Sequence, residues 1–140
     1  KDGAAPAKGK KGWGYINRTG TEIVPMVNEH AQNFSEGLGR SRSGGKWGYY
    51  DAAGKLVIMF VFENCRDFSD GMAAVNDGNA WGYIDKTGKM AVPVKYDKAL
   101  DFSGGLAPVQ IGKKWGFIDK TGKLVIPARF DEALPFKIVK

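Results

Sequence analysis

A Trp-Gly pair recurs along this chain at a constant spacing. Successive pairs are 34 residues apart, with no insertion or deletion between them. A fixed period of this length is the signature of a repeat architecture, in which one short piece of chain cannot bury its own apolar surface and relies on its neighbours. The sequence therefore predicts four similar pieces arranged along the chain. The tryptophans of the four pairs are Trp13, Trp47, Trp81 and Trp115.

A phenylalanine with the same period sets convenient boundaries for the repeats. We expect one domain over 1–140, because neighbouring repeats must cover each other's apolar faces. The chain begins and ends partway through the pattern, which favours a domain that is part of a longer array. The repeats span 1–34, 35–68, 69–102 and 103–136, followed by a tail at 137–140. The phenylalanines that close them are Phe34, Phe68, Phe102 and Phe136.

Each repeat contains three short runs with strand character, bounded by glycine and proline. Residues 72–75, 81–85 and 123–127 exemplify the first, second and third run. None is long enough for an ordinary helix. The second and third runs are joined by Asp-Lys-Thr-Gly, in which Asp suits the start of a type I turn and Gly accepts a left-handed backbone, as at Gly88 and Gly122. Each repeat is predicted to be a three-stranded antiparallel meander.

Both faces of the predicted sheets are apolar. Along a strand, Trp81 and Tyr83 share one face, while Gly82 and Ile84 share the other. A sheet that is apolar on both sides is covered on both sides. We therefore expect an all-β, open solenoid-like array of these 34-residue repeats; the alternative is a closed propeller-like ring, with 138–139 completing the first repeat.

The segment after the third run is expected to connect one repeat to the next. Residues 96–102 and 128–136 carry a recurring Tyr or Phe and a closing Phe, which should anchor the connector to the core. A short helical turn around 97–100 or 131–134 is predicted between these aromatic residues.

The Trp column allows two interpretations. Large aromatic side chains supply most of the burial in small β repeats, which favours Trp as a core residue whose flanking Gly lets a neighbouring backbone approach closely. The alternative is an exposed aromatic ladder that stacks on sugars, cations or bases. The predicted structural core consists of Trp13, Trp47, Trp81, Trp115, Phe34, Phe68, Phe102 and Phe136.

Basic residues also recur in columns, and the formal net charge is +6. Stacked columns of Lys would form stripes that could hold an anionic polymer. Lysine on exposed hairpins also keeps a β-rich protein soluble and discourages edge pairing, which accounts for the same pattern without a ligand. The candidate binding surface comprises Arg40, Arg42, Lys46, Lys55, Lys89, Lys114 and Lys123.

No catalytic, cofactor-binding or metal-binding residues are predicted. The sole histidine, His30, has no partner set for a metal site or a triad. The sole cysteine, Cys65, occupies a column that is Ala elsewhere and is expected to be a small core residue. Ser41 stands where a core Val is expected, which indicates an edge strand or a drifted repeat. No run approaches the length of a transmembrane helix.

Residues 80–93 and 114–127 resemble the WG-containing repeat, also called the KWG repeat, nearly position for position. Residues 102–109 match the second signature of this family, F-S-x-G-L-A-x-V. Such repeats occur mainly in bacterial proteins. The resemblance implies an all-β repeat domain with a binding or scaffolding role and no enzymatic activity, and it fixes no ligand. Two departures from the pattern are Met59 in a proline column and Asn28 in an aromatic column.

The sequence thus favours a non-enzymatic module that binds another protein and uses no cofactor. The alternative is a domain that binds glycan, peptidoglycan or another anionic polymer through its Lys and aromatic columns. Nucleic acid is disfavoured as a partner, and no membrane insertion is expected. Burial of the Trp side chains would favour a protein partner, and a solvent-facing Trp ladder would favour a glycan.

Overall fold

The computed structural model describes residues 3–137, which are all-β. The predicted all-β tandem-repeat fold is confirmed, and within 3–137 there is no helix, so none that could cross a membrane. The strands form small open antiparallel sheets, and none of the described sheets closes into a barrel. The strands are β1 Ala4–Lys8, β2 Trp13–Asn17, β3 Glu22–Asn28, β4 His30–Ser35, β5 Leu38–Ser43, β6 Lys46–Asp51, β7 Leu56–Phe62, β8 Asn64–Cys65, β9 Met72–Asn76, β10 Trp81–Asp85, β11 Met90–Tyr96, β12 Lys98–Ala99, β13 Leu106–Ile111, β14 Lys114–Asp119 and β15 Leu124–Phe130.

The chain divides into two compact units, Lys1–Asp67 and Phe68–Lys140, called here the N-terminal and C-terminal halves. The N-terminal half contains the sheet β1-β2-β3 and the four-stranded sheet β4-β5-β6-β7. The C-terminal half contains the meander β9-β10-β11 and the four-stranded sheet β12-β13-β14-β15. The three strands predicted for each repeat are therefore present. The residues 138–139 that would complete a closed ring lie outside the described residues.

The hairpin between the second and third strands of each repeat has the predicted turn. In the third repeat, Oδ1 of Asp85 accepts hydrogen bonds from the backbone N–H groups of Thr87, at 2.9 Å, and Lys89, at 3.1 Å. Gly88 follows with φ of 90°, and Gly122 of the next repeat has φ of 89°, both in the left-handed region that favours glycine. The turn thus depends on one carboxylate and one glycine, which explains why both recur.

The connector between repeats is a strand and not the predicted helical turn. Lys98 and Ala99 pair with Gln110 and Val109, so that β12 adds a fourth strand to the sheet of the following repeat. The 131–134 segment, for which a helical turn was the other expectation, is irregular. The backbone groups of a short connector need partners, and the open edge of the next sheet supplies them. Pairing across the repeat boundary therefore joins consecutive repeats within each half.

Each half has its own apolar core, built around the tyrosine that follows the Trp-Gly pair by one residue. Tyr15, Tyr49 and Tyr83 are each 0% exposed. In the C-terminal half, Tyr83 packs edge-on against Phe102, with ring centroids 4.7 Å apart. In the N-terminal half, Tyr15 packs in the same way against Phe34, at 4.8 Å. The closing phenylalanine of a repeat thus completes the pocket around its central tyrosine.

Candidate functional site

The glycine of each Trp-Gly pair lies against the backbone of the third strand. A Cβ placed on Gly82 would be 2.6 Å from the carbonyl oxygen of Val92, and one on Gly116 would be 2.6 Å from that of Ile126. Neither distance is compatible with a side chain. The third strand is bulged at this point. In the third repeat, Trp81 pairs with Tyr96 and Tyr83 pairs with Val92, so the third strand has extra residues opposite the glycine, and the fourth repeat shows the same shift. At the Trp-Gly motif, the backbone of the bulged third strand therefore packs directly against the glycine.

In two repeats a proline of the bulged strand lies against this glycine. The backbone of Pro25 lies next to Gly14, and that of Pro93 next to Gly82. Proline has no N–H to contribute to a ladder, so it is tolerated at a bulge of an edge strand. In the second repeat Met59 takes this position, next to Gly48, with the same bulged pairing. The bulge therefore does not require proline.

The tryptophans lie at the margin of the cores. Trp13, Trp47 and Trp81 are half-buried, and Trp115 is 8% exposed. Trp81 packs against the core of the C-terminal half without belonging to its fully buried set. The deepest aromatic position belongs to the tyrosine column, whereas Trp115 is buried and Trp13 and Trp81 pack against the cores as half-buried residues.

The closing phenylalanines do not all occupy the same environment. Phe34, Phe68 and Phe102 are buried, between 0% and 2% exposed. Phe136 is 47% exposed, although its ring still lies 5.0 Å from that of Phe117. Phe136 therefore does not have the buried position that was predicted for it.

Aromatic and basic side chains of β4, β5 and β6 lie next to one another around Trp47. His30 stacks on Trp47 with ring centroids 6.2 Å apart and planes at 9°. The guanidinium of Arg40 lies 5.3 Å from the Trp47 centroid and forms an ion pair of 2.8 Å with Asp67. Arg40 also donates to the carbonyl oxygen of Cys65, at 2.8 Å. These contacts give Arg40 a structural role within the N-terminal half.

Several of the predicted basic surface residues are paired with acids of the same half. Lys46 forms a 2.6 Å ion pair with Glu63, and Lys114 pairs with Asp131. These lysines hold the pKa of both carboxyl groups below the ordinary value, chiefly through the hydrogen bonds they donate. Arg42 is 3.9 Å from Glu29. The charge of these groups is thereby partly offset where a polyanion would have to bind.

The remaining predicted lysines are on the hairpins that follow the Asp turns. Lys55, Lys89 and Lys123 are exposed. The backbone N–H of each lysine donates to the Asp four residues before it, at 2.9 to 3.1 Å. Their backbones are therefore fixed, while their side chains face solvent. They are the part of the predicted basic surface that a ligand could reach directly.

The third strands expose apolar side chains. Val27 on β3 is 59% exposed, and Met59 and Val61 on β7 are 63% and 60% exposed. In the C-terminal half, Val125 on β15 is 48% exposed, and Met90 on β11 is 40% exposed. We refer to β3, β7, β11 and β15 as the outer strands, since each ends the order of its sheet. Their exposed apolar groups were not identified from the sequence, although their recurrence in the third run was visible.

A second feature missed from the sequence is the hydroxyl group of the tyrosine column. Tyr15, Tyr49 and Tyr83 donate to the carbonyl oxygens of Gln32, Arg66 and Leu100, at 2.6, 2.7 and 2.7 Å. Donor and acceptor are 17 residues apart in each case. The constant 17-residue separation between each tyrosine and its acceptor in the connector was the signal in the sequence that could have identified these hydrogen bonds.

Ser41 is a buried residue of an interior strand, which excludes the edge-strand interpretation. It is 0% exposed, and β5 pairs with both β4 and β6. Its Oγ donates to the hydroxyl oxygen of Tyr15, at 3.3 Å. Burial raises the pKa of Tyr15 to about 12. The substitution of Val by Ser in this column is thus matched by a polar partner.

Metal-binding chemistry has no evident donor set in residues 3–137, where no group of three or more His, Cys, Asp or Glu side chains could hold a metal ion. Cys65 is buried, as expected for a small core residue, and burial raises the pKa of its thiol to about 11. A thiol with such a pKa is a poor nucleophile at neutral pH.

Comparison with known proteins agrees with this architecture. A solved structure described as "Crystal structure of the eukaryotic initiation factor" superposes with a TM-score of 0.54 at 11% sequence identity, covering 84% of this chain. The match spans 37% of the length of that chain, and at this identity it shows similarity of fold alone. No curated protein matches the chain in sequence. The family model for the WG containing repeat matches residues 13–47, 47–79, 81–115 and 115–137. The chain therefore belongs to the WG-containing repeat family.

Proposed function

We propose that this chain is a non-enzymatic interaction module that binds another protein through the apolar side chains of its outer strands. The observation that carries the proposal is the exposure of such side chains on the outer strand of every sheet, with Val27 and Val125 as examples. Exposed apolar groups on a repeat scaffold are a common basis for protein binding. The polar side chains of the turns are engaged in local hydrogen bonds and are less suited to this role.

The geometry of the Trp column supports a protein partner over a glycan. A sugar-stacking ladder needs the open face of an aromatic ring. Trp115 is 8% exposed, and His30 covers part of Trp47 by stacking on it. The apolar surface that remains accessible belongs to the outer strands.

Site-specific photocrosslinking in the cell that makes the protein tests the proposal. A photoreactive amino acid is placed at Val27 or Val125 on outer strands, and at Lys55 or Lys89 on hairpins as matched exposed controls. The expected result is a crosslinked adduct with the same second protein from both outer-strand positions and little from the hairpins. Adducts from the hairpin positions alone, or from none of the four, would contradict it.

Binding of an anionic polymer is the second candidate, supported by the exposure of Lys55, Lys89 and Lys123 and by the net charge of +6. Such binding should weaken steeply as salt rises, because bound counterions are released. Titration with a heparin-like glycan and with single-stranded DNA, at low and moderate salt, tests it. Replacement of these three lysines by Ser should abolish the interaction, while failure of the wild-type chain to bind either polymer at low salt would remove this candidate.

A further inference from the structure

The outer strand of the second repeat differs from the other three in its sequence. Strand β3 contains Pro25 and Glu22, β11 contains Pro93 and Lys95, and β15 contains Pro127 and Arg129. Strand β7 reads Leu-Val-Ile-Met-Phe-Val-Phe, with neither a proline nor a charge. Proline and charge are the usual means by which an edge strand avoids pairing with another chain. Strand β7 therefore lacks both protections that the equivalent strands have.

Within its own sheet, strand β7 has a partner on one side only. The strand is last in the order β4-β5-β6-β7, so one side of its backbone bonds to β6 and the other to no strand of that sheet. Met59 and Val61 are 63% and 60% exposed along it. The substitution of proline by Met59 also restores a backbone N–H at the centre of the strand.

The sequence of β7 is complementary to itself in the antiparallel direction. Pairing centred on Met59 would place Val57 opposite Val61 and Ile58 opposite Phe60. Just beyond the strand, Lys55 of one copy would lie opposite Glu63 of the other, and the same pair would form again across the two-fold axis. Lys55 would then join Lys46, which already pairs with Glu63 within each copy. Apolar groups would face apolar groups, and each end of the ladder would carry a pair of opposite charges.

We propose that β7 is a self-association edge, through which a second copy of this chain pairs antiparallel across a two-fold axis at Met59. Such an interface is isologous, because the same strand serves both copies. The bulges of β7 toward β6 bend the strand, so the ladder is short. A short ladder buries less area than a permanent dimer needs, and the association should be reversible with a Kd of about 10 to 100 μM.

Sedimentation velocity of the purified chain tests the proposal, and no other protein is needed. The expected result is a monomer–dimer equilibrium over about 1 to 200 μM. Met59→Pro, which restores the residue of the other outer strands, should weaken the dimer at least tenfold. Val61→Lys should do the same, since Lys95 and Arg129 occupy that column on β11 and β15. Circular dichroism checks that both variants keep the β fold.

A matched control and a charge exchange separate this edge from general apolar adhesion. Val125→Lys makes the same chemical change on β15 and should leave the dimer unaffected. Lys55→Glu should weaken the dimer, and adding Glu63→Lys should restore it in part, because the pair would form again with its signs reversed. A chain that stays monomeric at all concentrations, or a dimer that Val125→Lys weakens as much as Val61→Lys, would overturn the proposal. Failure of the wild type to dimerise would leave the crosslinking result for a different protein partner unaffected.

Discussion

The hydroxyl group of Tyr83 donates a hydrogen bond to the carbonyl oxygen of Leu100, 2.7 Å away. This bond fixes the connector to the centre of the repeat that precedes it. Tyr83→Phe should lower the free energy of unfolding by about 1 to 2 kcal/mol, because the part-buried carbonyl group loses its donor. Equilibrium denaturation measures the loss, and hydrogen exchange should show faster opening at the amide of Leu100.

The fourth repeat supplies the matched comparison for this bond. Phe117 stands in the Tyr83 column and has no hydroxyl, and Leu134 at the equivalent connector position is 78% exposed. Phe117→Tyr should therefore change stability by less than Tyr83→Phe does. An equal and opposite change, or no loss with Tyr83→Phe, would contradict the role assigned to the tyrosine column.

Glu36 occupies a strained position in the turn between β4 and β5. Its φ is 53°, and the same column in the fourth repeat holds Gly104, with φ of 63°. A left-handed backbone costs a non-glycine residue about 1 kcal/mol or more, and part of this is offset by the larger conformational entropy of glycine in the unfolded chain. Glu36→Gly should therefore raise the free energy of unfolding by about 0.5 to 1 kcal/mol in thermal or chemical denaturation.

Glu36→Ala is the control for the loss of the side chain. Alanine keeps the strain and should give no gain. If alanine stabilised the protein as much as glycine, the effect would come from removing the carboxylate and not from relief of backbone strain.

Asp70 links the third and fourth repeats through one carboxylate. Its Oδ2 accepts a 2.8 Å hydrogen bond from the backbone N–H of Gly105, and Oδ1 lies 3.2 Å from Nζ of Lys120. The pKa of Asp70 is held below its ordinary value of 3.8, chiefly by the Gly105 N–H. The stabilisation is therefore present above the unfolded pKa and is lost as the pH falls through the folded pKa.

Thermal unfolding of the wild type and of Asp70→Asn between pH 7 and pH 3 tests this dependence. The wild type should be more stable at neutral pH by about 1 kcal/mol or less, since the group is partly exposed. The difference should shrink as the pH falls below about 4, where the unfolded carboxyl group becomes protonated. A difference that stayed constant over the whole range would show that the charge of Asp70 contributes nothing.

Local features of this fold were predictable because they depend on neighbouring residues. The turn at Asp85 and the left-handed Gly88 follow from a run of four consecutive residues, 85–88, and its recurrence strengthened the signal. The close backbone approach at the glycine of the Trp-Gly pair was expected for the same reason. Pairing of Lys98 and Ala99 was not, because two residues show no periodicity and the partner strand is supplied by the next repeat.

The sequence could not show which of two aromatic side chains on the same strand face is more deeply buried. Trp81 and Tyr83 share that face, yet Tyr83 is fully buried and Trp81 is half-buried. Depth depends on how one sheet packs on another, and alternation within a strand carries no such information. The pairing of Lys46 with Glu63 has a similar origin, since it depends on the bulged register between β6 and β7.

The glycine of each Trp-Gly pair packs against the backbone of the bulged outer strand, and this contact explains why the motif recurs. The free energy of unfolding of Gly82→Ala tests this contact, with Gly78→Ala as the control. Gly78 has φ of 105°, and nothing lies within 4 Å of a Cβ placed on it. Because a Cβ on Gly82 would be 2.6 Å from the carbonyl oxygen of Val92, this variant should lose about 3 kcal/mol or more, against about 1 kcal/mol for the control. Equal losses in the two variants would contradict the claim, since backbone freedom alone would then explain the glycine.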